Sequence, residues 1–140
     1  MRRLALVLVA VLALAACGGS SKPKTPSDEA QIKSAYAKFF SAKTSLSDRV
    51  ALLENGAHFK SLIQTFAANP LAKNVTATVS SVTLQGANKA KVVFVVEFAG
   101  ASLPEQTGSA VRENGTWKVG SASLCKLVAL QGSTPSACKS

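Results

Sequence analysis

Near Lys73 the spacing of apolar residues changes, and the change divides the chain into a helical part and a sheet part. Before it, apolar side chains recur every three to four positions, which gathers them on one face of a helix. After it they alternate, which in an extended strand sends them to one side of a sheet. A chain that makes this switch without returning to a regular helix–strand alternation predicts an α+β domain, with N-terminal helices packed on an antiparallel sheet.

The helical part carries its own punctuation. Thr25-Pro26-Ser27-Asp28 offers a capping residue, a proline in the first turn and an acid near the positive helix end. Ile32, Ala35, Tyr36, Phe39 and Phe40 follow as one stripe. A second helix starts at Ser45 or Ser47, runs on through Asp48 to Leu53 and stops at Asn55-Gly56. A third covers about 57–67, carries His58, and buries Phe59, Leu62, Ile63 and Phe66; Asn69-Pro70 ends it.

In the sheet part, 74–84 places Val75, Ala77 and Val79 on one side, but Val82 and Leu84 have the opposite parity. A bulge at Ser80-Ser81 would re-aim the strand. Gly86-Ala87-Asn88 turns the chain into 91–98, whose Val92, Phe94, Val96 and Phe98 should face the helices. The other side of that strand carries Val93 and Val95 between Lys91 and Glu97, a candidate face for an envelope protein or a second copy of the chain. Strands at 106–112 and 116–119 meet across Asn114-Gly115, a pair suited to a turn with positive φ at both central residues. The stretch 121–131 suits a short helix with Leu124, Leu127, Val128 and Gln131 on one side. Helices over a curved antiparallel sheet resemble the nuclear-transport-factor-two-like (cystatin-like) cone, a resemblance of fold that carries no activity. Tyr36, Phe40, Phe59, Phe66, Phe94, Phe98 and Trp117 are candidates to line a cavity in such a cone, although aromatic residues at these spacings also serve as plain core.

The start of the chain has a different purpose. Met1-Arg2-Arg3 is positively charged, and the apolar run from Leu4 to Ala16 is well short of the ~20 residues that a spanning helix needs. Residues 1–16 therefore read as a signal peptide. Leu14-Ala15-Ala16-Cys17 resembles the lipobox of bacterial lipoproteins, in which the cysteine thiol accepts a diacylglyceryl group as a thioether. Two acyl chains on Cys17 would hold the protein at a membrane durably, since each buried methylene contributes ~0.8 kcal/mol. Residues 17–27, rich in Gly, Ser and Pro, form a tether, and 28–140 form a single domain. The expected location is the outer face of the cell membrane, with shedding to the medium as a variant of it.

Cys125 and Cys138 remain for a disulfide, which oxidising conditions outside the membrane favour. The formal charge of +9 falls to +7 without Arg2 and Arg3, and to +5 once Lys22 and Lys24 are counted with the tether. The remaining lysines form no stripe, which argues against nucleic acid as a partner. No nucleophile elbow, phosphate-binding loop or ligand-rich metal cluster appears, so no catalytic residue, metal or cofactor is expected.

The stretches QIKSAYAKFFSAKTSLSDRVALLENGAHF, NPLAKNVTATVSSVTL and NGTWKVGSASLCKLVALQG resemble the low-molecular-weight secreted antigen family of mycobacteria and related actinobacteria. The resemblance implies an envelope-associated or secreted protein recognised by host immunity and supplies no catalytic residues. The expectation is a non-enzymatic surface lipoprotein whose domain binds an envelope partner or itself. The alternative is a carrier of a small apolar ligand held between helices and sheet.

Overall fold

The structure is a computed structural model that describes residues 26–139. The signal segment, Cys17 and most of the tether lie outside the described residues.

Among the described residues three helices come first. In α1 (Asp28–Phe40) the Ser27 hydroxyl accepts the Ala30 N–H at 3.2 Å, Asp28 and Glu29 lie in the positive first turn, and Lys38 lies in the last. Its stripe of Ile32, Ala35, Tyr36 and Phe39 is buried. Ser45 is the cap of α2 (Leu46–Leu52), accepting the Asp48 N–H at 3.1 Å. α3 (Lys60–Ala68) starts later than its apolar spacing suggests. Residues 54–59 form turns, so His58 sits exposed before the helix and not on it. Helix formation is delayed because the segment from Leu53 is held by the sheet: Leu53 bridges Val119, and the Glu54 N–H donates to the Val119 carbonyl at 2.8 Å. Asn69 then caps a 3-10 turn, Pro70–Asn74.

The sheet contains β1 (Thr76–Leu84), β2 (Lys89–Phe98), β3 (Ala101–Ser102), β4 (Gln106–Glu113) and β5 (Thr116–Val119). It is antiparallel in the order β1-β2-β4-β5, with β3 also paired to β2. The register of β1 on β2 slips between Val79 and Ser81, so the bulge falls where the parity of the sequence changes. Leu84, beyond it, ends half exposed at 50%. Asn114 (φ 50°) and Gly115 (φ 77°) make the expected hairpin turn. A second turn of this kind, Ala99 (φ 48°) and Gly100 (φ 80°), folds β3 back on β2 and was not expected from the sequence. β3 and β4 are two parts of one edge of β2, interrupted around Pro104, which has no N–H to donate to a ladder. A last helix, α4 (Ser121–Ala129), packs on β4. Its cap residue, Gly120, has no side chain; Glu54 takes over, its Oε2 accepting the Ser121 N–H at 3.0 Å.

Among the described residues the result is four helices on a curled antiparallel sheet. The sheet curls around α1, which touches both β1 and β5 at opposite ends of the strand order. The core lies in that curl: Ile32 and Tyr36 of α1 meet Val92 and Phe94 of β2, Trp117 and Val119 of β5, and Leu53. Gly108 on β4 is the point of closest approach. A Cβ there would stand 2.3 Å from the Ser123 Oγ and 2.9 Å from the Phe94 ring, so only glycine lets α4 sit this close.

Two polar clusters tie the layers together. The Tyr36 hydroxyl donates to the Ser109 carbonyl at 2.6 Å and lies 3.0 Å from the Ser123 Oγ, which accepts the Ser109 N–H at 2.8 Å. At the other end of α1, Asp28 Oδ1 accepts from the Arg112 guanidinium and, at 3.0 Å, from the Trp117 indole N–H. The Arg112 guanidinium also stacks over the Trp117 ring, 4.8 Å from its centroid. Asp28→Ala removes the acceptor of a buried indole N–H. Because the carboxylate is 36% exposed, its ion pair is screened, and a loss of about 1–2 kcal/mol is expected. Urea unfolding followed by the fluorescence of Trp117, the one tryptophan, checks this; Asp28→Asn, which keeps an acceptor oxygen, should lose less.

Candidate functional site

An open, mainly apolar pocket of about 340 Å³ lies where the ends of several elements converge. That volume is within the roughly 300–1,000 Å³ of small-molecule sites. α1 contributes Phe39 and Phe40 from its last turn, and α3 contributes Ile63 and Phe66. The far end of β2 contributes Val96 and Phe98, and α4 supplies Leu124, Leu127 and Val128. Each of these residues comes from an apolar stripe that faces inward, at a level where the opposite wall has moved away.

The pocket exists because regular structure breaks off around it. The 3-10 turn after Pro70 carries Leu71 to the mouth, where it is 58% exposed. The end of α4 carries Leu130 there, 56% exposed. Leucines this exposed cost free energy in water, and here both border the same opening. Leu103, between β3 and β4, closes another side and is held by its N–H donating to the Val96 carbonyl at 2.9 Å.

Among the aromatic residues read from the sequence as candidate lining, Phe40, Phe66 and Phe98 border the pocket. Tyr36, Phe59, Phe94 and Trp117 do not; they are packed in the core, each at most 5% exposed. The difference is one of depth. All face inward, but only those near the open end of the curl meet empty space. Val93 and Val95 lie on the outer sheet face and are half-buried. Val93 is flanked across the strands by Ser81 and Thr107, and Val95 by Thr78.

Cys125 on α4 and Cys138 on the 3-10 turn Ser136–Cys138 form a disulfide, with Cα atoms 5.6 Å apart. The bond ties the C-terminal segment to the helix that forms one wall of the pocket. Arg49 also borders the pocket and is only 9% exposed; sequence reasoning did not single it out. Burial lowers its guanidinium pKa from the ordinary arginine value. Among the described residues no group of His, Cys, Asp and Glu is arranged to hold a metal ion, and no helix is long and apolar enough to cross a membrane.

No curated protein shows a significant match to the chain. The model of the family described as low molecular weight antigen MTB12, C-terminal domain, matches residues 24–135. That match spans most of the chain and nearly all of the described domain, and the chain belongs to the MTB12 low molecular weight antigen family.

Proposed function

We propose that the domain is a non-enzymatic carrier that holds a small apolar ligand in the pocket between α1, α3, α4 and the end of β2. The observation that supports this most is the convergence of Leu71 and Leu130, both more than half exposed, on the mouth of an apolar cavity of about 340 Å³. A ligand there would cover surface that is otherwise in contact with water, and burial of apolar area drives such association. The curled sheet with helices over its concave face supports the finer likeness to the nuclear-transport-factor-two-like cone. In this reading the domain is exported and displayed at the outer membrane face by a lipid on Cys17, whose chemistry and position in the lipobox support the anchor.

Two measurements test the proposal. Native mass spectrometry of the protein taken from its own envelope should reveal a co-purifying apolar mass, and Phe66→Asp, which puts a charge into the pocket wall, should abolish it. Retention of that mass by the variant would remove the pocket from the account. For the anchor, labelled fatty acid should enter the wild-type chain and not Cys17→Ser; a labelled Cys17→Ser chain would place the lipid elsewhere.

A further inference from the structure

Among the described residues, Arg49 is the one charged side chain bordering the apolar pocket. It also borders a smaller recess of about 110 Å³ beside it, whose other charged residue is Lys73. Among the described residues no Asp or Glu lines either space. The guanidinium donates from Nη2 to the Ser41 carbonyl at 2.6 Å, which is a neutral acceptor. Its Nε–H is buried and has no hydrogen-bond partner, and among the described residues no carboxylate forms an ion pair with Arg49. An arginine that keeps only 9% of its surface exposed, with its Nε–H fully buried, normally has a carboxylate or a full set of acceptors, because removing a charged donor from water is costly. Here the compensation is incomplete at the edge of a cavity.

We propose that Arg49 is the anion-binding residue of the pocket, and that the ligand is a single-chain amphiphile with an anionic head, its chain against the apolar walls and its head at the guanidinium. The proposal rests on the reading of the pocket as a ligand site and adds the chemistry of the ligand. Charge complementarity supports it: among the described residues two cations, Arg49 and Lys73, and no anion border the pair of spaces. Arginine suits the role because its planar fork of donors matches a carboxylate and it stays charged at any pH of interest. The polarity of the site is graded in the same sense. Phenylalanine and leucine dominate the larger space, whereas the smaller one adds Thr44 and Lys73 to Arg49.

Lauric acid and lauryl alcohol are suitable probes, since they share a chain and differ in the charge of the head. Calorimetric titration of the whole chain carrying Cys17→Ser, at a pH where the acid is ionised, should show the acid binding at least about tenfold more tightly than the alcohol. Arg49→Met should bring the acid down to the affinity of the alcohol, and Arg49→Lys should keep part of the preference. Equal affinity of wild type for acid and alcohol would overturn the role of Arg49 while leaving the pocket as an apolar site. Binding of neither would overturn the ligand-site reading and this inference together. The comparison of the two probes on wild type needs no variant, so it decides the matter even if Arg49→Met does not fold.

Discussion

Gly56→Ala should destabilise the domain by about 3 kcal/mol, at the upper end of overpacking substitutions. Gly56 follows α2 at the point where the chain leaves the helix and turns toward α3. A Cβ at this position would stand 1.8 Å from the Val50 carbonyl oxygen and 2.8 Å from its carbon. Both are backbone atoms of α2, so no side-chain rotation can relieve the contact. To make room, the last turn of α2 would have to separate from Leu53, which is fully buried and bridges the outer edge of β5. The requirement is one of space and not of backbone handedness; the left-handed residue in this turn is Asn55, at φ 51°. Gly86→Ala is the contrasting substitution. Gly86 has φ 84° but nothing within 4 Å of an added Cβ, so it should lose only about 1 kcal/mol through backbone strain. Urea unfolding monitored at Trp117 measures both losses, and a Gly56→Ala protein as stable as wild type would show that the turn can move.

Alkaline pH should remove the contribution of Tyr36. Its phenol is the only one in the chain, and burial pushes its pKa up from 10 to about 12. A folded-state pKa above the unfolded value means that the native form holds its proton longer. Stability is therefore complete below pH 10 and falls as the pH rises through 10 to 12, where the unfolded chain has lost a proton that the folded one retains. The slope is about 1.4 kcal/mol per pH unit, or about 3 kcal/mol over the window. Tyr36→Phe should start from a lower stability, having lost its bond to the Ser109 carbonyl, but should be flatter over that window. The lysines titrate in the same range, so the difference between wild type and variant isolates the phenol. The absorbance of tyrosinate provides an independent reading: in the folded domain it should rise only as the pH approaches 12, and in the unfolded chain near pH 10. Parallel alkaline profiles for the two proteins would rule out this coupling.

The candidate site was only partly legible in the sequence. Helical spacing and strand alternation identify inward-facing residues, Phe40, Phe66 and Phe98 among them. The same pattern marks Tyr36, Phe59, Phe94 and Trp117, because periodicity reports the face of an element and not whether another wall stands opposite. Leu71, Leu103 and Leu130 border the pocket from breaks in regular structure, where no period exists to reveal them. Arg49, between Asp48 and Val50 on a short helix, has nothing in its neighbours to separate it from a solvated charge. Its side-chain hydrogen-bond partner, the Ser41 carbonyl, lies on the segment before the helix, and the pairing exists only in the folded chain.

Features that depend on a few adjacent residues were readable directly. The change of period near Lys73 separates helices from sheet, because side-chain direction follows from backbone geometry alone. The parity slip in β1 marks its bulge, and Asn114-Gly115 marks its hairpin, since each is a local steric matter. The spacing and setting of Cys125 and Cys138 made a disulfide the natural expectation. Features that join distant segments required the folded chain. Glu54 caps α4 across the sheet edge, Asp28 holds Arg112 and Trp117, and Gly108 yields its space to Ser123. The pocket is of the same kind. Its walls come from segments spread between Phe39 and Gln131, and an empty volume is set by how far apart packed elements come to rest, a distance that no single stretch of sequence encodes.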